Sequence, residues 1–202
     1  MTKQLSFTDI FDADASALLP DTMEAAVPVY RRLLEDHHAA MLAGDWTTTL
    51  ALRNDAWRIV TKLNGGTHFG VLGDDEAPGR LLPRLTAAPT GTVPLWGQTG
   101  DFSITVRGMR VRIEQDGMFG IGSRDNFWLG FSTHAIDWTK PFLSPTGYRS
   151  FLTIRLPIAA GVTPDQLATR AILDHLTTEC KGKLTAIEST YRPRTRSTRS
   201  AA

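Results

Sequence analysis

His134 and Asp137 stand three residues apart, just before Trp138. That pairing has the composition of an acid–base couple, since a carboxylate that orients an imidazole is a common way to build a general base near neutral pH. Tyr148 and Arg149 follow Gly147 in a turn-like stretch, and Lys140 lies a few residues upstream. A guanidinium in such a turn suits bidentate binding of a carboxylate or phosphate. The candidate catalytic residues are therefore His134, Asp137, Tyr148 and Arg149, and the candidate ligand contacts are Lys140, Tyr148 and Arg149. Their spacing matches no specific catalytic motif. A plainer reading competes: Asp137 as a local cap or ion-pair partner, and His134 hydrogen-bonded to a carbonyl in a packed loop.

These side chains sit in the densest aromatic run of the chain. Seven of its seventeen aromatic residues fall between Phe127 and Phe151. Large rings supply much of the burial energy of a small core, so ionisable groups threaded among them must be paired, partly exposed or functional.

Other chemistries find less support. His37 and His38 are adjacent, and only one of two neighbours on a helix faces inward, so they do not make the shared metal face of an i, i+4 pair. A third ligand would have to come from His68 or His175, and no metal site is assigned. Gly117 to Gly122 reads G-x-x-G-x-G, which is neither nucleotide fingerprint, and no G-x-S-x-G elbow occurs. Cys180, the only cysteine, falls on the apolar side of a predicted helix, where a thiol is usually inert. No cofactor is implied. The segment YRPRTRSTRS carries Arg192, Arg194, Arg196 and Arg199. Four guanidiniums in eight residues are suited to phosphate contact, or equally to keeping a chain end soluble.

The elements that must position these groups follow from periodicity. Residues 1–20 read as an N-terminal arm without steady period. A helical hairpin is predicted over 21–65, its first helix capped by Asp21 with Glu24 at capping-box spacing. Met23, Val27, Tyr30, Leu34, His37 and Met41 trace its apolar face. Pro28 either kinks this helix or moves its start to Val27. Gly44 ends it and Asp45 caps the second helix, whose buried stripe reads Trp46, Leu50, Trp57 and Val60, interrupted by Arg53. Residues 67–100 read as short strands and turns anchored by Leu81, Leu82 and Leu85. A meander then starts with Phe102, Ile104 and Val106, a turn at Arg107-Gly108, and Met109, Val111 and Ile113. Met118 to Ile121 is expected as its third strand, Phe127 to Phe131 as a further one, and Ser150 to Leu156 as a return strand. Thr163-Pro164-Asp165-Gln166 opens another helix, over 163–182. Lys183 to Glu188 is expected as a last short strand, followed by a disordered tail over 189–202.

Helices and strands segregated in this way predict an α+β domain, with a helical hairpin and a C-terminal helix packed on an antiparallel sheet. Length and composition fit one globular domain over 1–188, with 42% hydrophobic and 21% charged residues. No apolar run reaches the length of a membrane span, and the N-terminus lacks the form of a secretory signal, so a cytoplasmic setting is the default. The net charge of +1 conceals a body of about −3 once the arginine tail is set aside, which argues against a broad nucleic-acid-binding face on that body.

The segment PFLSPTGYRSF, residues 141–151, resembles a motif in uncharacterised bacterial proteins often carried on plasmids and other mobile elements. That resemblance carries over no catalytic residues. It implies a bacterial cytoplasmic protein, in a setting where proteins often act on nucleic acids or on other proteins. The reading is thus a non-enzymatic binding or regulatory module with a protein or nucleic-acid partner and no membrane. The alternative is a small enzyme built around His134, Asp137, Tyr148 and Arg149. The sequence sets no oligomeric state.

Overall fold

The computed structural model describes residues 19–119, 130–152 and 158–193. Helix α1 runs from Met23 to Ala43, and its N-cap is Thr22, whose hydroxyl accepts from Ala25 N at 3.2 Å. The cap falls one residue later than the expected Asp21 because that carboxylate is engaged elsewhere. Lys62 Nζ pairs with Asp21 at 2.8 Å and donates to Leu19 O at 2.6 Å, tying the entry of the first helix to the end of the second. Pro28 neither ends the helix nor shifts its start. It removes one backbone donor, and the helix continues through it. Gly44 closes α1 in the left-handed region at φ 71°, and Asp45 caps helix α2, Trp46–Leu63.

The buried side of α2 follows only part of the stripe that the large apolar residues trace: Val60 is fully buried, and Trp46 and Trp57 pack partly buried against the two cores. The buried residues are Thr49, Arg53, Ala56, Ile59 and Val60, while Leu50 is 45% exposed. Small side chains at 49 and 56 pack against the facing elements. The buried side is therefore wider than the expected stripe and extends toward Thr49 and Ala56. Residues 67–99 contain a third helix, α3 (Pro78–Leu85), and no strand. Pro78 in its first turn is a helix-start signal that the surrounding Gly, Pro and Asp obscured. Leu82 is buried as an anchor, but Leu85 is 45% exposed.

Four antiparallel strands form one sheet in sequential order: β1 (Gly100–Val106), β2 (Met109–Gln115), β3 (Phe131–Ala135) and β4 (Tyr148–Phe151). Arg107 and Gly108, both at positive φ, make the tight β1–β2 turn. Met118 and Phe119 lie in a turn and bury themselves against the helices instead of forming the third strand. The expected strand at 127–131 is described only from Gly130 onward, and Phe131 opens β3. The return strand is described up to Leu152, while 153–157 lie outside the described residues. Thr185 bridges Phe142 in an isolated antiparallel pair, which is all that forms of the expected last strand.

Helix α4, Pro164–Thr178, opens on the expected capping box of Thr163 and Gln166. It covers one side of the sheet, burying Leu167, Ile172 and Leu176 with Phe102, Val111 and Ile113. A second cluster joins α1, α2 and α3 around Tyr30, Ile59 and Leu82, and takes in Met118 and Phe119. Trp96 links the two clusters. Its indole is fully buried, and its Nε1 donates to Val162 O at 2.9 Å. Its backbone N donates to His38 Nδ1 at 3.0 Å, and its carbonyl accepts from His37 Nδ1 at 2.9 Å. Among the described residues no helix is long and apolar enough to cross a membrane.

Candidate nucleic-acid interface

Leu50, Asn54, Trp57 and Arg58 stand along α2 at i, i+4, i+7, i+8 spacing, with Trp57 partly buried and its ring edge to face with Phe119 5.1 Å away. With Arg53 and His68 they line a shallow groove of about 260 Å³. Asn54 is exposed and Arg58 half-buried, with its guanidinium 3.4 Å from Asp55 on the same helix. Asparagine and arginine presented side by side on a helix are the residue types that make paired hydrogen bonds to base edges or phosphates. Arg53 is 4% exposed and adds positive charge beneath the groove. The α2 N-terminus is closed to an anion. Asp45 accepts there from Thr48 N at 3.1 Å and from Thr48 Oγ1 at 2.7 Å, and these bonds hold its carboxyl below the usual range.

Beyond α2, the loop starting at Asn64 is braced from within. Asn64 Nδ2 donates to Thr67 O and to Phe69 O, each at 2.9 Å, and Phe69 N donates to Thr67 Oγ1 at 3.2 Å. His68 Nδ1 lies 3.1 Å from Thr61 Oγ1, which fixes the imidazole at the groove's end. Sequence reasoning missed Asn54, Arg58 and His68 as a group. The available signal was the interruption at Arg53, which marks where the helix cannot be oriented by its large residues alone.

The residues singled out in the sequence lie on the sheet, and the structure divides them. His134 and Tyr148 are cross-strand neighbours on the side away from α4, their rings 5.1 Å apart and edge to face. His134 Nε2 is 3.1 Å from Glu114 Oε2, so its carboxylate partner is Glu114 and not Asp137. Asp137 is held by Arg110, through Nε at 3.0 Å and through Nη2, and by Lys140 at 3.5 Å. Hydrogen bonding from Arg110 pulls the Asp137 carboxyl down to about 2. Arg149 pairs with Thr133, and side chains alternate along a strand, so it leaves the sheet on the opposite side from His134. There its charge acts on His175 of α4. Lys140 stays near Asp137 and away from Arg149's side of the sheet.

Among the described residues no group of three or more His, Cys, Asp or Glu is placed to hold a metal ion. His37 and His38 both turn to Trp96. Of the tail arginines, Arg192 donates to Ile187 O at 2.9 Å, and Arg194, Arg196 and Arg199 lie outside the described residues.

The two halves of this fold correspond to two domain types seen in bacterial proteins. Residues 12–85 match the family model of the KlcB N-terminal DNA-binding domain, and residues 99–188 match that of the KlcB third domain. A protein KlcB of Escherichia coli is 40% identical over 184 residues, covering 90% of this chain and 41% of that protein. Another protein KlcB of Escherichia coli is 44% identical over 109 residues, covering 54% of this chain and 22% of that protein. The chain thus spans about two-fifths of the first relative's length. No solved structure matches it. Over nine-tenths of its own length the chain is thus similar to a protein KlcB of Escherichia coli.

Proposed function

We propose that this chain is a DNA-binding regulatory protein that contacts duplex DNA through α2 and the loop after it, with Asn54 and Arg58 as the principal contacts. One observation carries the reading: the segment that matches a DNA-binding domain model, residues 12–85, is also where an outward helix groove presents asparagine, arginine and histidine together. The binding is modest in electrostatic reach. Between residues 19 and 85, Asp and Glu outnumber Lys and Arg by nine to seven, so affinity rests on few phosphate contacts. Two or three such contacts give a log-log salt slope of about −2 to −3.

The competing reading, a small enzyme using His134, Asp137, Tyr148 and Arg149, requires those four groups to meet. The separate partners of His134 and Asp137, and the opposite side taken by Arg149, weigh against it. The mobile-element setting and any protein partner belong to the same proposal. The test is fluorescence anisotropy of the full chain with a 30-base-pair duplex. Arg58→Ala should weaken binding by about 1–3 kcal/mol, and Asn54→Ala by a similar amount with relaxed preference among sequences. Wild-type protein that leaves the duplex free at low salt would overturn the reading.

A further inference from the structure

Phe69 is 92% exposed, on a loop whose geometry is fixed. A large apolar ring left wholly in water is normally folded back onto the surface, because burying it is favourable. Here the loop holds the ring's attachment point at an exposed crest. The Phe69 N–H donates to Thr67 Oγ1 and its carbonyl accepts from Asn64 Nδ2, so the backbone is pinned on both sides of the ring's attachment point. Gly66 and Gly70, at φ 81° and 82°, flank the loop crest and turn the chain sharply away on either side. The adjoining residue, His68, is a wall of the α2 groove.

We propose that Phe69 is a wedge that enters the base stack of the DNA bound by α2. The proposal rests on the DNA-binding reading above. Apolar side chains inserted at a base step unstack it partly and bend the duplex, and phenylalanine is among the residues used in this way. Two features favour DNA over a protein partner. Phe69 lies inside the segment that matches the DNA-binding domain model. The adjacent groove is lined by Leu50 and Trp57 together with the nearly buried Arg53, and by Asn54, Arg58 and His68, which can hydrogen-bond phosphates and base edges. A braced loop also suits a wedge, which must resist being pushed back by the stack.

A wedge favours steps that are already easy to open, so the probes are two 30-base-pair duplexes, one fully paired and one with a central single mismatch. Wild-type protein should bind the mismatched duplex about tenfold more tightly. Phe69→Ala should lose that preference and bind the mismatched duplex about 5- to 100-fold more weakly, while Phe69→Trp keeps both. Because the ring is solvent-exposed, an unchanged melting temperature for Phe69→Ala is expected and confirms folding. Wild-type affinities and preference in Phe69→Ala overturn the wedge and leave the DNA reading standing. Failure of wild-type protein to bind either duplex overturns both. Sedimentation velocity on the same samples covers the other occupant: a dimer lost in Phe69→Ala, with DNA affinity unchanged, assigns the ring to a second copy of the chain and overturns the proposal.

Discussion

Two surfaces of this molecule collect arginine, histidine and an aromatic ring, and they differ in where the charges go. On the open face of the sheet, Arg110 is matched to Asp137, and His134 and Arg112 both approach Glu114. Lys140 shares Asp137. Along the α2 groove, Asp55 is the acid beside Arg58, and it is reached from the same helix with both side chains substantially exposed. A local exposed pair of that kind holds its partner weakly. On the proposed reading, the sheet-face cluster belongs to the architecture of the sheet, and the α2 groove is the surface offered to DNA.

The comparison assumes that both surfaces stand on one cooperative scaffold, and the largest expected effect tests this. Trp96→Ala removes a fully buried indole and its hydrogen bond to Val162 O, and should cost about 3–5 kcal/mol. Thermal unfolding followed separately by a probe in the helical part and one in the sheet should show both transitions falling together. Two separated transitions would break the scaffold into independent parts.

A slightly smaller effect comes with acid. Burial, the leading cause, lowers the His37 pKa to about 4, and its Nε2 is buried without a hydrogen bond. Below about 6.5 the unfolded chain takes up a proton that the folded form refuses. Stability therefore falls as pH drops from about 6.5 to about 4, by roughly 3 kcal/mol in all. His38 and His175, also lowered by burial, add in the same direction. The melting temperature of His37→Gln should lose most of its decline across that window. A decline equal to wild type would place the acid sensitivity elsewhere.

The contrast between the surfaces is sharpened by a matched pair of variants. Arg58→Ala should weaken duplex binding by about 1–3 kcal/mol, whereas Arg110→Ala, whose guanidinium is already matched to Asp137, should change it less than twofold. Equal losses would erase the distinction. The smallest effect on folding concerns the tail. A chain ending at Glu188 should melt within about a degree of full length, since Ile187 keeps its burial and Arg192 gives up one bond to a carbonyl. If the tail arginines also touch phosphates, its salt slope should become shallower by up to about 3.6.

The sheet and its covering helix were legible because their signals are local. Alternation at Phe102–Val106 and Met109–Ile113 sets each side chain's face, and Arg107-Gly108 sets the turn. Thr163-Pro164-Asp165-Gln166 contains a whole helix start. The hairpin was legible for the same reason, with Gly44 and Asp45 placing its corner to the residue. The full width of the buried side of α2 was not. It depends on Thr49 and Ala56 fitting close to neighbouring elements and on Arg53 being tolerated inside, and neither is a property of the helix alone. Helix α3 was hidden because Gly79 and Pro83 weaken its propensity, yet Gly79 is needed where a side chain would meet Val71 and Leu72. Partner choice was the least legible part of the sheet face. His134 and Asp137 are near in sequence, but β-pairing carries each to an acid or base on another strand.

The position of Trp96 gives the chain a natural place to be cut without coming apart. Residues 89–93 are exposed, while three positions later the Trp96 backbone is bonded to His37 and His38 of α1 and its indole to the carbonyl of Val162. A nick near Gly91 severs the covalent path but leaves the Trp96 backbone of the second fragment hydrogen-bonded to His37 and His38 of the first. The two pieces should therefore elute together from a sizing column, and separately expressed halves should reassemble on mixing. In that sense the short stretch between the matched segments serves as a clasp more than a tether.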